Sequence, residues 1–239
     1  MKVDIFIPCF MDQIYPETGM NMVKILEKCG CEVSYNPEQT CCGQAAFTSG
    51  YYDEAKAVGA KFIKEFVECE YIVTPSASCA GMVKNYYRDL FHNSAFHNDF
   101  KEVRGHMYEL SDFLVNTLKV EDLGAELNGV GTYHSSCASL REYEVNDAPY
   151  KLLAKVKGLE LKELKEADVC CGFGGQFAAK FEPIATSMVE QKVLHADNTG
   201  AEYIISTDSS CLMHIESYVK QNDSNLKVMH LADVLASGW

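Results

Sequence analysis

Short apolar runs alternate with longer amphipathic stretches along the chain, and the order is the same in its two halves. Val3–Pro8 and Gly129–Tyr133 read as strands, as do Tyr71–Thr74 and Tyr203–Ser206. Between the strands of the first half, Ala55, Val58, Gly59, Phe62, Ile63, Phe66 and Val67 recur at spacings of three and four, one face of a helix. Ile184–His195 takes the same place in the second half, less cleanly patterned. Further helices are expected at Met82–Leu90 and Leu212–Gln221. This alternation predicts an α/β fold of two pseudo-symmetric repeats, each a small parallel sheet flanked by helices. The polar stretch Lys119–Asn128 separates them, which places one repeat over residues 1–120 and the other over 121–239.

Composition narrows the function without naming it. The chain has 239 residues, 47% hydrophobic and 23% charged, enough to bury a real core without disulfides. Its 34 acidic and 21 basic side chains leave a formal charge of -13. So acidic a surface disfavours nucleic acid and anionic membrane surfaces, which both select for basic patches. No apolar run reaches the ~18–20 residues of a membrane helix, and the N-terminus lacks the pattern of a secretory signal. A cytoplasmic location is expected.

Eleven cysteines are the anomaly. In a reducing compartment, so many thiols point to metal or redox chemistry rather than to structural disulfides. Eight of them repeat. Cys9 is followed after 31 residues by Cys41-Cys42-Gly43, then after 35 more by Cys79. Cys137 is followed after 32 residues by Cys170-Cys171-Gly172, then after 38 more by Cys211. Cys29, Cys31 and Cys69 have no counterpart; the corresponding positions are Lys157, Leu159 and Ala201, and these three read as buried, inert thiols.

In a parallel sheet, ligands gather beyond the carboxyl ends of the strands, so each repeat should carry its cysteines on one rim. Four thiolates per rim suit zinc or an iron–sulfur cluster. Structural zinc commonly uses Cys-x-x-Cys knuckles, which are absent here, whereas vicinal cysteines diverge towards separate corners of a larger object. Gly43, Gly172, Gly174 and Gly175 would let backbone N–H groups approach such a cluster; they also suit plain tight turns. The four glycines are candidate cofactor-binding positions, and the eight repeated cysteines are candidate metal ligands. His134 lies three residues before Cys137 and His214 three after Cys211, where the first half has Phe6 and Met82. Each histidine is a candidate catalytic acid or base, a ligand, a donor behind the ligands, or a structural residue. Gly172-Phe173-Gly174-Gly175 lacks the second half of a dinucleotide fingerprint, so electrons are expected to pass through clusters.

The twofold Cys, Cys-Cys-Gly, Cys pattern resembles the cysteine-rich (CCG) domain family, which includes a subunit of the heterodisulfide reductases and the glycolate oxidase iron–sulfur subunit. The resemblance covers essentially the whole chain. Thr74-Pro75-Ser76-Ala77-Ser78-Cys79-Ala80-Gly81-Met82, Tyr133-His134-Ser135-Ser136-Cys137, Cys170-Cys171-Gly172-Phe173-Gly174-Gly175 and Ser210-Cys211-Leu212-Met213-His214 resemble its lactate-utilization branch most. The resemblance implies one or two [4Fe–4S] clusters and an iron–sulfur electron-transfer subunit of a complex that oxidises L-lactate or another 2-hydroxy acid. A thiol or heterodisulfide reductase with a catalytic cluster, and a zinc-stabilised scaffold or redox sensor, are the competing expectations. Heterodisulfide reductase relatives supply five cysteines per site; here Ser76 and Asp208 stand where the additional ones would be, which leaves four. Asp208 reads as a helix cap rather than as a carboxylate ligand. The chain also lacks the Cys-x-x-Cys-x-x-Cys runs of the longer glycolate oxidase subunit. The resemblance therefore implies a separate ferredoxin-type iron–sulfur partner and further subunits of a lactate-oxidising complex.

Overall fold

The computed structural model describes all 239 residues, Met1–Trp239. The first half contributes strands β1 (Lys2–Ile5), β2 (Glu32–Tyr35), β3 (Ile72–Thr74) and β4 (Met107–Glu109) in the order β2-β1-β3-β4. The second half repeats the arrangement with β5 (Glu126–Tyr133), β6 (Lys157–Lys162), β7 (Tyr203–Ser206) and β8 (Lys227–His230), ordered β6-β5-β7-β8. Every neighbouring pair is parallel. The fold is thus the expected α/β pair of repeats, with four strands in each.

Burial explains which strands were visible in the sequence. The inner strand β3 is wholly buried and opens on the apolar pair Ile72-Val73, as parallel strands covered on both faces favour. The edge strands β2 and β6 keep exposed or half-exposed positions throughout and carry no such pair. The short outer strands β4 and β8 open into helical turns at Leu110 and Leu231. Neither kind rises above its surroundings in hydropathy.

The helix Tyr52–Phe66 buries Ala55, Gly59, Phe62, Ile63 and Phe66, with Asp53 and Glu54 in its first turn, where the helix dipole favours acids. Its counterpart, Glu182–Asp197, turns Ala185, Val189, Lys192, Val193, His195 and Ala196 inward. Two of those six are polar, and this is why the second helix patterned less cleanly. The helix expected at Met82–Leu90 is instead three pieces: Ala77–Gly81, a π-helical turn Met82–Tyr86, and Tyr87–Phe91. It runs against a second π-helical turn, Ser139–Tyr143, from the other half. A Cβ on Gly81 would stand 2.8 Å from Glu142 Cβ, so glycine is what permits the approach.

The chain crosses between the sheets from Thr117 to Glu126, and one hydrophobic core continues through both halves, joining Phe113 and Leu114 to Leu152, Leu231 and Val234. Polar contacts fix their relative placement. His230 Nδ1 accepts from Ala232 N at 3.1 Å, which leaves Nε2–H to donate to Pro75 O at 2.9 Å. Asp233 accepts from Thr18 Oγ1 and Asn21 Nδ2, both at 2.9 Å. Tyr143 donates to Asp112 at 2.6 Å and accepts from Glu109 N at 3.0 Å.

Glu109 carries a testable pH dependence. It is buried, and its carboxyl accepts from Ser111 N at 2.8 Å and Asp112 N at 3.2 Å. Burial outweighs these bonds and pushes the acid from 4.5 up to about 7. The native state therefore holds a proton that the unfolded chain releases, so this contribution to stability is present at low pH and is lost as pH rises from 4.5 through 7. Glu109→Gln keeps the acceptor oxygen without the charge. Relative to wild type it should gain roughly 3 kcal/mol between pH 4.5 and pH 8, at about 1.4 kcal/mol per pH unit. Urea unfolding at the two pH values measures it, and an unchanged difference would show that Glu109 is ionised in the native state.

Candidate metal centre

In each half the cysteines follow the strands. Cys9 opens the helix Cys9–Ile14 after β1, Cys41-Cys42 lies in the loop after β2, and Cys79 lies in the helix Ala77–Gly81 after β3. Cys137 precedes the helical turn Ser139–Tyr143 after β5, Cys170-Cys171 follows β6, and Cys211 is the third residue of the helix Ser209–Gln221 after β7. Strand order reverses between β1 and β3 and between β5 and β7, the point where a parallel sheet leaves a crevice at its carboxyl end.

All eight repeated cysteines line one cavity of about 520 Å³. The two rims expected from the sequence thus face each other across a shared space. The rim contacts include Phe10 and Phe173, edge to face with centroids 5.8 Å apart, and Ser78 N, which donates to Asp208 Oδ2 at 3.1 Å.

Within each half the thiols form a chain of neighbours. Cys9 Sγ lies 3.7 Å from Cys41 Sγ, and Cys42 and Cys79 stand within electrostatic reach of that pair. The second half runs Cys137, Cys170, Cys171, Cys211 in the same way. Hydrogen bonds from Cys42 and Cys9 hold the Cys41 thiol down at about 3; those from Cys137 and Cys171 hold Cys170 down at about 2. The bond to Cys41, then burial, pushes Cys9 up, and the bond to Cys170, then burial, does the same to Cys137. Cys42 and Cys171 are raised by their thiol neighbours and by burial. Each half therefore presents one thiolate stabilised by protonated thiols, whose protons a metal would displace.

The glycines hold the loops open. Gly43 and Gly172 have φ of +85° and +91°, and their N–H groups donate to Cys41 Sγ at 3.3 Å and Cys170 Sγ at 3.4 Å. A Cβ on Gly172 would meet Ala185 O at 2.7 Å, and one on Gly43 would meet Ala55 O at 3.1 Å. Gly174 and Gly175 line the cavity wall with φ of +50° and +60°.

The two candidate histidines differ. His134 is fully buried, and one of its ring nitrogens lies within 4.8 Å of the Cys171 and Cys211 sulfurs. Ala167 offers a backbone group nearby, yet neither ring nitrogen has a partner in hydrogen-bond geometry. Burial, reinforced by Lys192, pushes the imidazole down to about 3, so it is neutral. His214 is not on the cavity wall. Its Nε2 sits 3.4 Å from Ala185 O and its ring 6.2 Å from that of Phe173, so it supports the glycine loop from behind.

Ser76 and Asp208 are helix caps. Ser76 Oγ accepts from Cys79 N at 3.5 Å, and Asp208 Oδ1 accepts from Ser210 N at 3.3 Å and Ser210 Oγ at 2.6 Å. The three unrepeated cysteines lie away from the cavity, packed against or within the core. Burial pushes Cys29 up to about 11 and Cys69 to about 12, and also raises Cys31, so none is a ready thiolate.

Sequence reasoning missed three contributors. Glu142 lines the cavity with Oε2 unpartnered, and burial raises its carboxyl. Tyr87 is fully buried and donates to Cys42 O at 3.0 Å, which pins the first Cys-Cys turn. Lys192, 2% exposed, donates to Glu166 O behind the second turn. Lys192 had a signal: it is a charged residue on the helix face where the first half is wholly apolar.

The donor chemistry fits a thiolate-held centre. Each half brings four sulfurs to the wall of one cavity with an amide N–H aimed at one of them, and the second adds an unpartnered imidazole. An α/β chain with a four-thiol set at each of two switch points is a cysteine-rich protein of the two-repeat kind. The chain belongs to the CCG cysteine-rich domain family, whose profile matches residues 3–84 and 131–216. It is 44% identical over 235 residues to the lactate utilization protein A of Geobacillus kaustophilus (strain HTA426), covering 98% of each chain. It is 42% identical over 239 residues to lactate utilization protein A 2 of Bacillus cereus (strain 03BB102), covering 100% of this chain and 99% of that one. Among solved structures, glutamate racemase RacE1 of Bacillus anthracis aligns with 98% of this chain and 78% of its own, at a TM-score of 0.36 and 13% identity.

Proposed function

We propose that this chain is the iron–sulfur electron-transfer subunit of a system that oxidises L-lactate or a closely related 2-hydroxy acid. The observation that carries the reading is the convergence of all eight repeated thiols, as two four-sulfur sets, on one cavity. The relatives named for lactate utilization support the substrate class. Cys9, Cys41, Cys42 and Cys79 would hold one [4Fe–4S] cluster, and Cys137, Cys170, Cys171 and Cys211 a second. A cluster supplies reversible one-electron transfer at a potential set by its charge, hydrogen bonds and exposure.

The chain's own residues do the rest. The cysteines hold the centres as thiolates. Gly43 and Gly172 donate their N–H groups to ligand sulfur, which disperses negative charge and favours the reduced state. Phe10 and Phe173 cover part of the cavity wall and limit water. Oxidation of a 2-hydroxy acid to a 2-oxo acid releases two electrons and two protons. The electrons would reach these centres from a ferredoxin-type iron–sulfur partner and further subunits of the complex. No helix is long and apolar enough to cross a membrane, so a membrane acceptor would be met from the surface. Ser76 and Asp208 are engaged as caps, which favours four-sulfur clusters over the five-cysteine sites of heterodisulfide reductases.

Anaerobic iron and sulfide analysis with EPR tests the cluster reading. Two clusters correspond to about eight irons per chain, and a colourless, zinc-loaded protein would instead support the scaffold reading. Reduction by lactate is expected only when partner subunits are added. Steady lactate turnover by the cluster-loaded chain alone would overturn the subunit reading.

A further inference from the structure

The repeat that matches the two thiol sets breaks down immediately behind them. His134 stands three residues before Cys137, as Phe6 stands before Cys9. Gly172 packs on Ala185 as Gly43 packs on Ala55, and this register places Lys192 where the first half has Phe62. In the first half these two positions are a buried aromatic pair, Phe6 and Phe62, edge to face at 4.9 Å and backed by Phe66. In the second half both are polar and both are buried.

The replacement is not neutral. Burying an imidazole without a hydrogen bond and a lysine deep in a core costs several kcal/mol unless a charge or acceptor compensates. For Lys192 the only hydrogen-bond partner is the backbone carbonyl of Glu166. His134 has no partner at either nitrogen, and its near neighbours are two ligand sulfurs. The acidic side chains within electrostatic reach of Lys192, Glu166 and Asp168, are exposed, so solvent and salt screen them more than they screen the buried ammonium.

We propose that His134 and Lys192 form a polar support for the second centre, raising its reduction potential above that of the first, so that the first electron taken up by the loaded chain resides on the second centre. This rests on the iron–sulfur reading above. A buried cation and an N–H donor beside a thiolate-held cluster stabilise its more negative, reduced form, whereas the aromatic pair behind Cys9 offers neither. Reduction adds one electron to the second centre, supplied in the test by dithionite, and makes or breaks no bond.

The experiment is a mediated reductive titration of the anaerobically loaded full chain, followed by EPR and visible absorption, with iron counted in every sample. Wild type should show two separable one-electron steps. Cys171→Ser should remove the higher of them, which assigns that step to the second half. Lys192→Met should make the higher step at least tenfold less favourable, ~59 mV for a one-electron couple, and leave the lower step in place. Lys192→Arg, which keeps the charge, should restore most of the difference. If Lys192→Met folds poorly, the double variant His134→Phe/Lys192→Phe rebuilds the first half's aromatic pair and should bring the two steps together. Full iron with unmoved potentials in these variants, or loss of the lower step in Cys171→Ser, would overturn the proposal while leaving the cluster reading standing. Wild type that takes up no iron would overturn both, and the iron count separates the two failures.

Discussion

Cys170→Ser or Cys171→Ser should cut the iron of the loaded chain by about half and abolish one EPR signal, leaving the other centre intact. In the proposed assignment each centre draws its four sulfurs from one half, so losing a ligand opens one centre and spares the other. Cys41→Ser should do the reciprocal, with the additional loss of the thiolate that Cys9, Cys42 and Gly43 stabilise. Cys29→Ser, Cys31→Ser and Cys69→Ser should retain full iron, at a stability cost of about 1 kcal/mol each. Their thiols sit in or against the core, away from the cavity wall. Iron lost from Cys29→Ser, or full iron in the Cys41→Ser/Cys170→Ser double variant, would show that the ligands are assigned wrongly.

Gly172→Ala should lower stability by about 2–5 kcal/mol and reduce iron uptake at the second centre. Two effects add: a side chain at φ +91° costs about 1–2 kcal/mol, and a Cβ 2.7 Å from Ala185 O forces the turn away from its helix. The same shift would carry the Gly172 N–H off Cys170 Sγ. Gly43→Ala should be milder, because its Cβ would stand 3.1 Å from Ala55 O. Gly175→Ala is the control. Its φ of +60° and ψ of -109° suit glycine alone, but a Cβ there would meet nothing within 4 Å, so only the backbone strain of about 1–3 kcal/mol remains. Denaturant unfolding of the three variants checks the order, and equal losses would show that crowding at the helix is not what holds the Cys-Cys-Gly turn.

Much of this architecture was legible before folding, and particular residues show why. The inner strand β3 announced itself because a parallel strand covered on both faces selects for apolar residues, as at Ile72 and Val73. The helix Tyr52–Phe66 did so because a single inward face imposes a period of three and four. The cysteine repeat needed no structure at all, since matching thiols must recur wherever one loop geometry is used twice. Edge strands β2 and β6 were silent because their side chains are half in water and select for no pattern. The π-helical turns at Met82–Tyr86 and Ser139–Tyr143 were silent too, because they answer to contact between segments 57 residues apart, counted from Tyr86 to Tyr143.

The division is physical. Periodicity, turn chemistry and cysteine spacing are local, so linear order carries them: two α/β repeats, eight repeated cysteines, and glycines at the turns. Which way each rim faces depends on the larger core, which runs through both halves, and on contacts such as His230 with Pro75 and Ser78 with Asp208, which join residues 155 and 130 positions apart. That packing turned two rims into one cavity. It also set His134 beside the Cys171 and Cys211 sulfurs and withdrew His214 to the back of the glycine loop, though the two looked alike in sequence. Lys192 stands between the two cases: its misfit on an apolar helix face was written in the chain, but only the folded structure shows its buried contact with Glu166 O.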